Sequence, residues 1–214
     1  MVIVEIFNSI EGEGIRAGYL CTFIRLAECN LRCRYCDSMY SYSGEYAHEY
    51  KIHEILEECK QYSTKRITVT GGEPLLHENI EELLQKLSDN GYEVNVETNG
   101  SIPLDCVHRN KKIFFTMDYK CPSSLMEEKM CLDNLSLLTE RDVLKFVVGT
   151  HTDMQTACDC IRSYRLPCHI FFSPVWGEIE PSYIVDFMKK QALDDCRIQV
   201  QLHKIIWPAS MMGV

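Results

Sequence analysis

Short apolar runs rich in β-branched residues alternate along this chain with stretches whose apolar residues recur three and four positions apart. The strand-like runs are residues 19–27, 66–70, 93–97, 113–117, 143–148, 169–172 and 197–202. Residues 51–62, 79–90, 154–164 and 182–192 read as amphipathic helices. Gly91 stands where a helix end wants a left-handed residue, and Ser173-Pro174 where a strand should stop. The stretch 121–140 has weak periodicity and is expected to be irregular with some helix. Strands alternating with helices build parallel βαβ units, and six or so units fall short of a closed eight-fold barrel. The expectation is an α/β fold: an incomplete (β/α)6-like barrel of parallel strands, one domain over residues 1–214. Ligands of such folds bind at the carboxyl ends of the strands.

Composition narrows the function classes. The chain has 22 Lys and Arg against 31 Asp and Glu, a net charge of −9. That disfavours sequence-independent nucleic-acid binding, which depends on neutralising phosphates. No run of 18 apolar residues exists, so no membrane span is expected. The opening MVIVEIFNSIEGEG lacks the basic and apolar regions of a secretory leader, so a cytoplasmic location is expected. In a reducing compartment the 12 cysteines are free thiols or metal ligands more often than bridges.

Three of them have ligand spacing. Cys29-x3-Cys33-x2-Cys36 forms a loop, residues 29–36, directly after the first expected strand. Three thiolates from one loop leave a metal centre with an open position; a fourth ligand such as Cys21 or His48 would close it into a structural zinc site. Thr70-Gly71-Gly72-Glu73-Pro74 ends the second strand. Its glycines permit close backbone approach and Glu73 could receive an ammonium, or the run is a strand-to-helix turn with Pro74 at the first helical position. Cys158 and Cys160, two apart in a helix, point to different faces and suit no common metal. The nine cysteines outside the loop are expected to be ordinary thiols.

A triple-cysteine loop after the first strand, followed one βα unit later by Gly-Gly-Glu, resembles the radical S-adenosylmethionine (SAM) enzymes. The resemblance implies a 4Fe–4S cluster on Cys29, Cys33 and Cys36, with SAM chelating the fourth iron. It implies SAM contacts from Tyr35, Cys36, Asp37, Gly71, Gly72, Glu73, Asn99, Asp118, Lys120 and Ser173. The flanks Asn8–Gly14 (NSIEGEG), Phe23–Leu26 (FIRL), Cys29–Leu31 (CNL), Cys36–Ser38 (CDS) and Gln201–Lys204 (QLHK) are similar to the 7-carboxy-7-deazaguanine synthase family, in order along nearly the whole chain.

That family contracts the ring of 6-carboxy-5,6,7,8-tetrahydropterin, with loss of ammonia, on the route to queuosine. The resemblance implies a pterin site from Ile10, Glu11, Gly12, Glu13, Arg25, Thr70, His203 and Val214, with Glu13 and His203 catalytic. It implies Mg2+ on Ser38, a homodimer, an external electron donor such as flavodoxin or ferredoxin, and a C-terminal tail, residues 203–214, over the substrate. Three residues depart from the family's usual pattern: Glu11 for Gln, Glu28 for Gly before the first ligand, and Ser38 for Thr. The competing readings are a glycyl-radical-enzyme activating protein and a non-catalytic zinc or iron–sulfur protein.

Overall fold

Successive residues of a strand face opposite sides, and here the two sides carry different chemistry. The computed structural model describes every residue except Ser43 and Glu45. Strand β4 (Arg66–Gly71) sends Ile67 and Val69 one way, Thr68 and Thr70 the other. In β5 (Glu93–Thr98), Val94 and Val96 oppose Asn95 and Glu97. In β6 (Ile113–Tyr119), Phe115 and Met117 oppose Thr116 and Asp118. In β7 (Val143–Val148), Leu144 and Phe146 oppose Lys145, and in β8 (His169–Pro174), Ile170 and Phe172 oppose Ser173. Parallel register sets like faces side by side, with Tyr119, Phe146 and Phe172 in one row. Their rings lie 5.1 and 5.8 Å apart.

The aliphatic face is the core. It is covered by α1 (Ile52–Lys60), α2 (Ile80–Asp89), α4 (His151–Ser163) and α5 (Pro181–Gln191), whose apolar stripes include Ile55, Leu83, Leu84, Leu87, Met154, Ala157, Ile184 and Phe187. Gly91 takes φ +97° just beyond α2, as its position predicts. Helix α4 starts at His151, three residues earlier than its apolar spacing indicates. Thr150 Oγ accepts from Asp153 N while the Asp153 carboxylate accepts from Thr150 N, and this reciprocal cap fixes the start. Between Cys121 and Glu140 lie short 3₁₀ turns and the one-turn α3 (Asn134–Leu137).

One nine-stranded sheet results, in the order β3-β1-β2-β4-β5-β6-β7-β8-β9. Strands β2 (Leu20–Leu26) and β4 to β8, with β9 (Cys196–Ile198), run parallel. The sequence reading omitted two antiparallel strands. β1 (Val2–Ile10) pairs with β2 as a hairpin, and β3 (His48–Glu49) edges it. β9 is also shorter than expected. Gln199 N still reaches Phe172 O, but the chain then turns into α6 (Leu202–Ile206), because Leu202 N donates to Gly12 O.

The sheet curls without closing. From the β1–β2 loop, Glu13 reaches Lys145 on β7 and Ser173 on β8. Arg16 of the same loop is buried against the starting ends of β4 and β5, donating to Ile67 O and Glu93 O. It floors the barrel and leaves the carboxyl ends of the strands open. No described helix is long and apolar enough to cross a membrane.

Candidate active site

The cysteine loop sits over the open end. Gly71, at φ +123°, and Gly72 press the end of β4 against the loop's first residues; a Cβ on either would collide with the backbone of Leu26 or Glu28. Gly72 N donates to Leu26 O and Glu73 N to Glu28 O. Glu28 takes φ +69°, the bend a glycine would give, so the chain keeps that bend despite lacking the glycine. Cys29, Cys33 and Cys36 are free and half-buried. Burial raises the Cys29 and Cys33 thiols, and the other two cysteines add to the effect at Cys33. Among the described residues no three His, Cys, Asp or Glu side chains form a single-ion site. Cys21 faces Thr68 inside the barrel, its thiol pushed up to about 12 by burial, and His48 lies on the exposed edge strand. Three neighbouring soft donors on one loop fit an iron–sulfur cluster better than a closed zinc site.

The residues expected around SAM line the adjoining strand ends, several already engaged. Glu73 is fully buried. Its carboxylate accepts from Leu75 N (3.0 Å), Thr98 Oγ1 (2.8 Å) and Asn99 N (2.6 Å), and burial pushes it up to about 7. It ties the end of β4 to the end of β5. Asn99 braces the cluster loop, donating to Asn30 Oδ1 (3.1 Å) and toward Cys29 Sγ (3.7 Å). Tyr35 OH reaches Val147 O (3.4 Å). Arg34 beside it forks onto Glu178 (2.8 and 2.6 Å) and anchors the loop from the far side.

Inside the barrel, charges alternate. Lys145 Nζ lies 3.2 Å from Glu13 Oε2 and 3.0 Å from Asp118 Oδ1, and Lys120 Nζ 2.8 Å from Asp118 Oδ2. Glu13 Oε1 accepts from Ser173 Oγ (2.6 Å) and Gln199 Nε2 (2.8 Å). Burial alone would raise Asp118, but the two ammonium groups hold it below its usual range. Deeper down, Glu11 accepts from Thr68 Oγ1 (2.6 Å) and faces Arg16 (3.6 Å). Burial, with the Glu97 carboxylate beside it, pushes Glu11 up to about 7. Thr70 Oγ1 donates to Glu97 (2.7 Å). Sequence reading missed Arg16, Lys145, Gln199 and the placement of Glu97. The available signal was polar residues two apart in apolar strands: Thr68 and Thr70, Asn95 and Glu97, Thr116 and Asp118.

The remaining expected residues ring the mouth. Arg25 Nε donates to Glu5 Oε1 (2.6 Å), which also accepts from Tyr40 OH (3.0 Å). Its guanidinium lies between the Phe7 and Tyr40 rings. Among the described residues only its Nε is hydrogen-bonded, and both Nη groups lack such a partner. Ser38 heads a 3₁₀ turn without capping it, its hydroxyl 3.8 Å from Cys36 Sγ. Asp37 pairs with Lys204 (2.7 Å). The His203 imidazole lies against Gly12 and leaves no room for a Cβ there. Burial lowers His203, favouring the neutral ring. Ile10 stands on the face of β1 opposite Ser9 and Phe7, so only its backbone faces the barrel side. Near the chain end, a Cβ on Gly213 would lie 3.7 Å from Glu5 Oε2, the carboxylate that holds Arg25, and Val214 after it is half-buried.

Known proteins resemble this chain in sequence and fold. The family model described as Radical SAM superfamily covers residues 24–119. A 7-carboxy-7-deazaguanine synthase of Clostridium acetobutylicum is 45% identical across 99% of this chain and 98% of its own length. One from Methanospirillum hungatei is 40% identical across 96% and 85%, and one from Chlorobaculum tepidum 38% across 99% and 96%. The crystal structure of QueE from Escherichia coli superposes with a TM-score of 0.77 over 94% of both chains at 20% identity, a likeness of fold. This chain therefore belongs to the 7-carboxy-7-deazaguanine synthase family of the radical SAM superfamily.

Proposed function

We propose that the protein converts 6-carboxy-5,6,7,8-tetrahydropterin into 7-carboxy-7-deazaguanine with loss of ammonia, as a radical SAM carbon–nitrogen lyase. One observation carries the reading beyond family membership. The three-thiol loop and a carboxylate-ready Arg25 stand over the same barrel mouth as Glu13 and His203. Full-length relatives of one name support this over a glycyl-radical activating protein or a non-catalytic metal protein.

Cys29, Cys33 and Cys36 would hold the cluster, which with SAM supplies the one-electron chemistry that removes a hydrogen atom from the substrate. The protein's share is orientation and exclusion of water. Arg25, fixed through Nε, offers a two-pronged grip on the pterin carboxylate. Glu13, held by Ser173, Gln199 and Lys145, keeps one lone pair for a ring N–H group. Thr70, donating to Glu97, can accept at its own oxygen. A neutral His203 has one donor and one acceptor nitrogen and can relay a proton to the departing amine, giving up its N–H proton as the other nitrogen takes one from the substrate or solvent. Ser38, unused as a cap, would hold Mg2+ with substrate oxygens, an ion that takes few protein ligands. The tail around Val214 would shield the carboxylate end.

A one-electron donor of the flavodoxin or ferredoxin kind and a homodimeric state complete the proposal. The test is anaerobic reconstitution with iron and sulfide, reduction, and addition of SAM, the pterin and Mg2+. Both 5′-deoxyadenosine and 7-carboxy-7-deazaguanine are expected by mass spectrometry. 5′-Deoxyadenosine without the deazaguanine would overturn the substrate, and neither product, with bound zinc, the whole reading.

A further inference from the structure

Three consecutive residues of α6 touch separate parts of the site. Leu202 N donates to Gly12 O (3.1 Å), the His203 ring lies on Gly12, and Lys204 Nζ meets Asp37 Oδ2 (2.7 Å). The Lys204 side chain is 8% exposed and its partner Asp37 55%, while its neighbours Ile205 and Ile206 stand out in solvent. Five residues are too few for a helix to persist alone, and α6 has no side-chain cap at its start. The ion pair is the one charge-assisted bond fastening this segment among the described residues. Its acceptor lies between Cys36 and Ser38, so it moves with the third cysteine and the serine after it.

We propose that Lys204 is a positioning residue: by pairing with Asp37 it locks the His203-bearing C-terminal segment to the cysteine loop, so the substrate side and the cluster side of the site assemble as one unit. The identities of the loop's cargo and of the substrate rest on the reading above; the lock rests on the contacts alone. Coupling of this kind is reciprocal. If Lys204 steadies the tail through Asp37, it also steadies the loop through the tail.

The test compares Lys204→Met and Lys204→Gln with Lys204→Arg in cluster-loaded protein. Hydrogen exchange over residues 202–214 should quicken about threefold in both neutral variants and little in Lys204→Arg, as loss of one partly exposed ion pair predicts. Release of iron to a chelator should quicken in the same variants. KM for the pterin should rise by a similar factor with kcat nearly kept, the signature of lost binding without lost chemistry. Unchanged tail exchange overturns the lock. A loosened tail with unchanged iron release overturns the coupling. If wild type yields no deazaguanine, the substrate reading fails, while exchange and iron release still decide the lock.

Discussion

The two faces of the sheet differ in kind. The helix side is aliphatic and aromatic, with Val69, Val96, Phe115, Phe146 and Phe172 fully buried. The barrel side joins Asp118, Lys145 and Glu13 in one network and pairs Thr70 with Glu97. Strands that are usually apolar on both faces here give one face to charge. Burying apolar area stabilises at about 25 cal/mol per Å2, whereas buried ion pairs often return little net stability. Folding strength therefore lies outside the barrel, and ionisable chemistry is held inside by its neighbours.

The sharpest division would come from Cys33→Ala. It should abolish cluster binding and both products while leaving the apolar face and the unfolding transition of the iron-free protein intact. Iron content, mass spectrometry and urea unfolding read the three. On the other face, Phe146→Ala should cost about 4 kcal/mol by emptying a core aromatic position. At a temperature where the variant stays folded, its KM for the pterin should match wild type. If KM shifts strongly, the division of labour between the faces is wrong.

Lys145→Met attacks the barrel face. It leaves Glu13 and Asp118 short of a cation, at about 3 kcal/mol for breaking a buried pair. Unlike the Phe146 variant it should also lower kcat/KM, because Glu13 loses one of its three anchors. A stable, fully active Lys145→Met would remove the network from the mechanism.

Glu11→Gln should have a smaller effect that depends on pH. The Glu11 carboxyl is pushed from 4.5 to about 7 in the folded chain, by burial first and then by Glu97. Between those values the folded protein holds a proton that the unfolded chain has released, so this group's contribution to stability falls as pH rises through the window. Replacing it should stabilise by up to about 3 kcal/mol at pH 8 and by nothing near pH 4.5. Parallel urea-unfolding profiles for variant and wild type would refute the raised carboxyl.

The helix face was legible because burial obeys local period. Ile80, Leu83, Leu84 and Leu87 mark α2 whatever lies above them. The cysteine loop was legible because ligand spacing is local too. Lys145 was not: a lone lysine in VLKFVV acquires meaning only when β6 and the β1–β2 loop bring Asp118 and Glu13 to it. The internal partners of Glu73 were hidden for a similar reason. Its neighbours Gly71 and Gly72 do allow close approach, but to Leu26 and Glu28 of this chain, and the carboxylate is captured by Asn99 from the next strand. β1 carries a visible apolar run, yet its antiparallel place is set by register against β2 and not by composition.

The smallest effect belongs to Glu28, where the cluster loop departs from β2. Its N–H donates to Ser41 O and its carbonyl accepts from Glu73 N, so the backbone is held on both sides. Between those bonds φ is +69°. A side chain in that region costs roughly 1–2 kcal/mol, and the exposed Glu28 side chain makes no hydrogen bond among the described residues that would offset it. Glu28→Gly removes the strain but adds freedom to the unfolded chain, which takes back about half of the gain. The net expectation is a stabilisation of about 0.5 kcal/mol in urea unfolding, with cluster content unchanged. Glu28→Val should move the other way, by about 1 kcal/mol, because a branched Cβ tolerates the bend least. If both variants shift stability in the same direction, the bend is not fixed by the Ser41 and Glu73 bonds. The loop would then relax around whatever residue precedes Cys29, unlike the network on the barrel face, which its neighbours hold in place.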